Sequence, residues 1–138
     1  MPGLQRFADA QSPVWDDVRA QLAAGGKRTH WMWFVFPQLA SLGRSAAARF
    51  FGIADEAEAL AYIAHPVLGA RLLECCALLL QVQDRSAEDI FGSVDAMKLR
   101  SCLTLFDAVA PQRRVFAECL QRFYGGQRDE LTLGLLAR

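Results

Sequence analysis

Apolar residues recur along this chain at spacings of three and four, and no convincing stretch alternates apolar with polar in the two-residue period of a half-buried strand. Leu4, Phe7, Ala8 and Gln11 outline a short first helix. Ser12-Pro13 reads as the next start, with Ser as N-cap and Pro at the first helical position. Val14, Trp15, Val18 and Leu22 follow at helical spacing, Asp16 and Asp17 favour the positive end of the helix dipole, and Gly25-Gly26 stops the run. Thr29 to Phe36 is almost entirely bulky and ends at Pro37. Periodicity does not separate helix from strand there, and a short helix is expected because its neighbours are helical and a lone strand has no partner.

Further along, Ser45 caps a helix through Phe51, and Asp55 caps one over Glu56 to Ala64 with Ala57, Leu60, Ala61 and Ala64 on one face. Pro66 opens a longer helix to about Val82 whose second half is apolar nearly all round, which marks it as central. Ser86 and Asp89 have capping-box spacing for a helix ending at Gly92. Ser93 is expected to cap a helix to about Val109, with Met97, Leu99, Cys102, Leu103, Leu105 and Phe106 inward. Val115, Phe116, Cys119, Leu120 and Phe123 form the next stripe, and Asp129 caps a last helix. No linker or fixed-period repeat interrupts them. The expected architecture is all-α: a single globular domain over residues 1–138, with about eight or nine helices around the helix at 66–82.

Composition narrows the function classes. In 138 residues, 53% are hydrophobic and 22% charged, enough to bury a core without disulfides or a metal. Fifteen Lys and Arg balance fifteen Asp and Glu, so no general attraction to nucleic acid or an acidic membrane is expected. The start of the chain lacks the apolar run of a signal peptide, and the longest apolar stretch, Cys75 to Leu80, is far short of the roughly 20 residues that span a bilayer. The four cysteines form no CxxC pair and sit among apolar residues, as buried reduced thiols do in a cytoplasmic protein. With two histidines and no HExxH, no metal site is expected, and no P-loop, GxGxxG or GxSxG pattern occurs. No cofactor is implied.

Three stretches carry candidate chemistry. Lys27 to Trp33 combines Lys27, Arg28, His30, Trp31 and Trp33. Cations beside indoles suit a phosphorylated, planar anion: the cations neutralise charge, an indole stacks on a ring, and His30 is a candidate proton donor. Tryptophans two apart point about 200° from one another on a helix, so they do not share one core seam. Arg71 lies one turn into an apolar helix and needs an anion, with Glu74 the local candidate. Asp95 and Lys98, with Ser101 one turn on, form either a catalytic pair or a surface ion pair.

The run Gly26 to Leu39, containing His30-Trp31-Met32-Trp33-Phe34-Val35-Phe36-Pro37-Gln38, together with His65 to Leu72 and the segment Ile90-Phe91-Gly92 through Asp95, Lys98, Ser101 and Thr104-Leu105-Phe106, closely resembles the bacterial family designated domain of unknown function 1810. The resemblance extends over nearly the whole chain and implies a compact helical fold, with no activity attached. Some members are labelled calpastatin, a name for extended polar chains, whereas this composition is that of a packed globule. The family's distinctive polar positions correspond to Lys27, His30, Gln38, Arg71, Asp95, Lys98 and Ser101; Cys102 stands where the family favours a polar or small residue.

Two functional readings result. In one, Lys27, His30, Trp31, Trp33, Gln38, Arg71, Lys98 and Ser101 surround a small anionic, phosphorylated or nucleotide-like ligand, with Phe36 as a further wall; any hydrolysis or group transfer there would use His30 or Asp95 as acid–base group. In the other, the aromatics are core, the ion pairs Arg71–Glu74 and Asp95–Lys98 fix helix register, and the chain is a structural or protein-interaction module.

Overall fold

The computed structural model describes residues 3–137. In chain order its helices are α1 (Gln5–Gln11), α2 (Trp15–Ala24), α3 (Met32–Val35), α4 (Ala46–Phe50), α5 (Glu56–Ala64), α6 (Leu68–Gln81), α7 (Ala87–Phe91), α8 (Ser93–Val109), α9 (Val115–Tyr124) and α10 (Glu130–Leu136), with 3-10 turns at Ser12–Val14 and Ala40–Leu42. Several ends follow the capping chemistry. Ser45, Asp55 and Asp129 each accept the N–H three residues on, and Ser86 with Asp89 forms a reciprocal capping box. Nδ1 of His65 accepts the N–H groups of Val67 and Leu68 at 3.1 Å, so this histidine caps the start of α6.

Other ends differ from expectation for local reasons. Ser12 does not cap α2: its hydroxyl turns back to the Ala8 carbonyl at 2.9 Å. Ser93 is the first residue of α8, and Gly92, at φ 83°, holds the N-cap position between α7 and α8. The Thr29–Phe36 helix shrinks to α3, and the N–H groups of Arg28 and Thr29 ahead of it both donate to Oε1 of Gln21. In α5 the buried face carries Ala59 and Tyr62, while Ala57, Leu60, Ala61 and Ala64 are exposed. One aromatic ring removes more apolar area from water than several methyl groups, so Tyr62 decides which way α5 turns.

The core runs through Phe7, Leu22, Trp31, Tyr62, Phe106 and Phe116. Helix α6 packs on α2, α5 and α9, and shares the centre with α8, which packs on α5, α7, α9 and α10. Every residue of α8 from Ser101 to Asp107 is buried. Helices α5 and α6 meet at 83°. Gly69 permits that crossing, since a Cβ there would lie 2.1 Å from the Ile63 carbonyl oxygen. Among the described residues no single helix is long and apolar enough to cross a membrane.

Between α3 and α5 the chain makes a closed loop over residues 38–53. It is pinched where the Ala40 N–H donates to the Ile53 carbonyl and the Ile53 N–H donates to the Gln38 carbonyl, both at 2.8 Å. At Gly52 a Cβ would lie 2.3 Å from the Cα of Ala40, so only glycine allows this approach. Arg6 fastens the loop to the body: its guanidinium donates to the carbonyls of Phe50 (2.7 Å) and Gly52 (2.9 Å) and pairs with Glu58 at 3.1 Å.

Candidate functional site

The anchored loop, the first half of α8 and the start of α10 enclose a cleft of about 440 Å³, within the size range of small-molecule sites. Val94, Met97, Lys98 and Ser101 face it from α8; they follow the i, i+3, i+4, i+7 spacing of one helix face. Gln38, Leu42, Arg44, Ser45 and Ala48 come from the loop, and Asp129 and Leu131 from the α10 end. Arg100 completes the wall.

Three cations, Arg44, Lys98 and Arg100, face one carboxylate, Asp129. That carboxylate is already engaged: its Oδ2 accepts from the Ser101 hydroxyl (3.1 Å), the Thr132 N–H (3.2 Å) and the Thr132 hydroxyl. Arg44 and Arg100 have no carboxylate partner among the described residues. Arg100 lies with its guanidinium carbon 6.0 Å from the Tyr124 ring centre, and its Nε is buried without a hydrogen-bond acceptor. An unsatisfied buried donor is costly.

Behind the cleft, Lys27, Asp95 and Lys98 form a chain of charges. Lys27 Nζ lies 2.9 Å from Asp95 Oδ2, and Lys98 Nζ lies 3.7 Å from Oδ1. The Lys27 N–H donates to the Ile90 carbonyl at 2.8 Å, which fixes the start of this residue at the end of α7. One carboxylate thus serves two ammonium groups, leaving a net positive charge on the side where Lys98 meets the cleft. Lys98 Nζ also lies 5.5 Å from the Trp33 ring. A recess of about 10 Å³ beside Trp33 is lined by Met32, Phe36 and Phe51 and shares Gln38, Ala48 and Lys98 with the cleft.

The fold therefore gathers Gln38, Lys98 and Ser101, places Trp33 next to them, and sets Lys27 and Asp95 behind Lys98. It separates the rest. Trp31 is no wall: it is 1% exposed, with its indole N–H donated to Gln21 Oε1 at 2.9 Å and Lys27 5.2 Å from its ring. Its position at the N-cap of α3, rather than within that helix, turns it into the core. Phe36, also 1% exposed, belongs to the same core and lines only the recess. His30 is exposed in the turn before α3, and its side chain makes no hydrogen bond or ion pair with other described residues. Arg71 is elsewhere, bonded to Gln11 Oε1 (3.3 Å) and the Ser12 hydroxyl (3.4 Å), 5.2 Å from the Trp15 ring. Glu74 pairs with Arg19 at 2.7 Å instead of with Arg71, because the α2–α6 packing brings Arg19 across. As an acid–base group, Asp95 is held between two lysines.

Sequence reasoning missed Arg44, Arg100, Asp129 and Leu131, and put Met97 in the core. Met97 is 65% exposed and faces the cleft. The spacing of Val94, Met97, Lys98 and Ser101 was the available signal. It was masked because a second apolar face of the same helix, through Leu99, Cys102 and Phe106, enters the core.

The thiols lie apart from this cleft. All four cysteines are buried and unpaired, and burial pushes Cys75, Cys76 and Cys102 well above the ordinary thiol range; at Cys76 the largest influence is its contact with Cys119. Among the described residues no cluster of three or more His, Cys, Asp or Glu side chains is placed to hold a metal ion.

Comparison with known proteins gives a family without an activity. No curated protein matches the sequence. The crystal structure of the conserved hypothetical protein Rv1873 from Mycobacterium tuberculosis is similar at 50% identity and a TM-score of 0.96, over 98% of this chain and 96% of that one. The family described as protein of unknown function (DUF1810) matches residues 2–136. The resemblance in the His30–Gln38 run, the helical fold and this match agree, and the chain belongs to the DUF1810 family.

Proposed function

We propose that the cleft between the 38–53 loop, α8 and α10 binds a small organic anion. The observation that carries this reading is the pair Arg44 and Arg100, which face the cleft beside Lys98 and have no carboxylate partners of their own among the described residues. Lys98 supplies charge to the cleft with Lys27 and Asp95 behind it, Arg44 supplies charge from the loop, and Gln38 and Ser101 supply polar contacts. Four unpaired thiols support a reducing compartment, in keeping with a cytoplasmic protein. Nothing in the cleft supports assigning a reaction: His30 is not among its lining residues, and Asp95 is bound by two lysines.

The test is thermal unfolding of the whole protein against inorganic phosphate, sugar phosphates, nucleotides and carboxylates. At a ligand concentration of 100 times Kd, the stabilisation is about 2.7 kcal/mol, a shift of several degrees. The expected result is a rise in melting temperature with at least one anion class, lost in Lys98→Met and Arg100→Met. If every class leaves the wild-type protein unmoved, the proposal fails and the interaction-module reading takes its place.

A further inference from the structure

The chemistry of the lining narrows the ligand class, and this step rests on the anion-binding reading above. The apolar part of the cleft wall is aliphatic throughout: Leu42, Ala48, Val94, Met97 and Leu131. No aromatic ring lines the cleft. Trp31 is sealed in the core, and Trp33 borders only the narrow recess, beside Lys98. A planar base or aryl group would find no aromatic ring to stack on there. Three of the aliphatic side chains are strongly exposed: Val94 and Met97 at 65% and Leu131 at 70%. They are three of the six large hydrophobic side chains exposed in the described residues, and they lie together at one cationic cleft. Clustered apolar exposure of this kind marks a surface that is covered in use.

We infer that the ligand is an amphiphilic anion: a free, single-chain aliphatic carboxylate whose head meets the cations of the cleft and whose chain covers Met97, Val94 and Leu131. The charge complementarity selects an anionic head, the absence of aromatic rings favours an aliphatic ligand over a nucleotide, and the open aliphatic wall suits a flexible chain. Met97 is unbranched and adapts its shape to such a chain.

Isothermal titration of the whole protein with butanoate, hexanoate and octanoate tests this, with inorganic phosphate, adenosine monophosphate and 1-octanol as comparators. Affinity should rise with each added methylene, by up to about fourfold where the chain is fully covered. Met97→Asn and Leu131→Asn alter exposed side chains and should fold normally. They should flatten the chain-length dependence while butanoate binding persists, and Arg100→Met should weaken the whole series. The inference is overturned if chain length gives no gain, if octanol binds as tightly as octanoate, or if the gain survives both Asn variants. Should phosphate or the nucleotide bind in a Lys98- and Arg100-dependent manner without any chain-length effect, the aliphatic assignment falls and anion binding stands. If no anion binds, both fall. Binding to anionic phospholipid vesicles without binding to free octanoate would replace the free carboxylate by a lipid surface and overturn the inference.

Discussion

The ammonium of Lys27 lies 2.9 Å from the carboxylate of Asp95, with the lysine side chain only 9% exposed and the aspartate 20%. This contact joins the turn after α2 to the first turn of α8 and sets the charge that Lys98 presents to the cleft. A pair this well shielded from solvent is stronger than a surface ion pair, and removing one partner leaves the other poorly compensated. The double-mutant cycle Lys27→Met with Asp95→Asn, measured by urea denaturation, should give a coupling of about 1–3 kcal/mol.

The same geometry separates stability from binding. Asp95 competes with any bound anion for Lys98, which it holds at 3.7 Å. Asp95→Asn should therefore lower stability while tightening anion binding, by about tenfold for a 1.4 kcal/mol gain. Titration of the variant with the anion that stabilises the wild type checks this; unchanged or weaker binding would mean that Asp95 does not restrain Lys98.

The two tryptophans should behave differently. Trp31 is fully enclosed and hydrogen-bonded to Gln21, so Trp31→Ala should cost about 3–5 kcal/mol as a core truncation. Trp33 is half-buried, and Trp33→Ala should cost less, about 1–2 kcal/mol. Equal losses in chemical denaturation would contradict the different burial of the two rings.

Arg6 is the fastening of the cleft's loop wall. Arg6→Ala strands the carbonyls of Phe50 and Gly52 and unpairs Glu58, and should cost about 2–4 kcal/mol. Amide hydrogen exchange should speed up first in residues 46–53, with α8 and α9 protected until global unfolding.

The buried thiols predict an alkaline limit. Burial raises Cys75 and Cys102, and the contact with Cys119 together with burial raises Cys76. In the unfolded chain these thiols lose protons near pH 8.5, while in the folded chain they keep them, so the unfolded state binds fewer protons above that pH. Stability contributed by the neutral thiols is complete below about pH 8.5 and declines as pH rises, by up to about 1.4 kcal/mol per pH unit for each thiol. Urea denaturation from pH 7 to 10 checks the slope. A thiol reagent at pH 8 should label the native protein only at the rate of unfolding.

Helix identity was legible in the chain because it is a local property. Capping groups such as Ser45, Asp55, Ser86 and Asp129 act within three residues of themselves, and their spacing is visible without a fold. The resemblance also singled out Gln38, Lys98 and Ser101, which the fold brings to one cleft. Orientation and partnership were not legible. Whether Met97 faces core or solvent depends on which of two apolar faces of α8 meets α9, and whether Trp31 is wall or core depends on where the segment between α2 and α3 deposits it. Arg71 met Gln11 and Ser12, and Glu74 met Arg19, because packing α2 against α6 supplied partners nearer than the helix's own. Sequence spacing reports neighbours along one helix, and the cleft is made of neighbours across three separate segments. Only the tertiary arrangement could bring Arg44 and Arg100 to the same opening as Lys98, since their meeting is decided by long-range packing that no local pattern encodes.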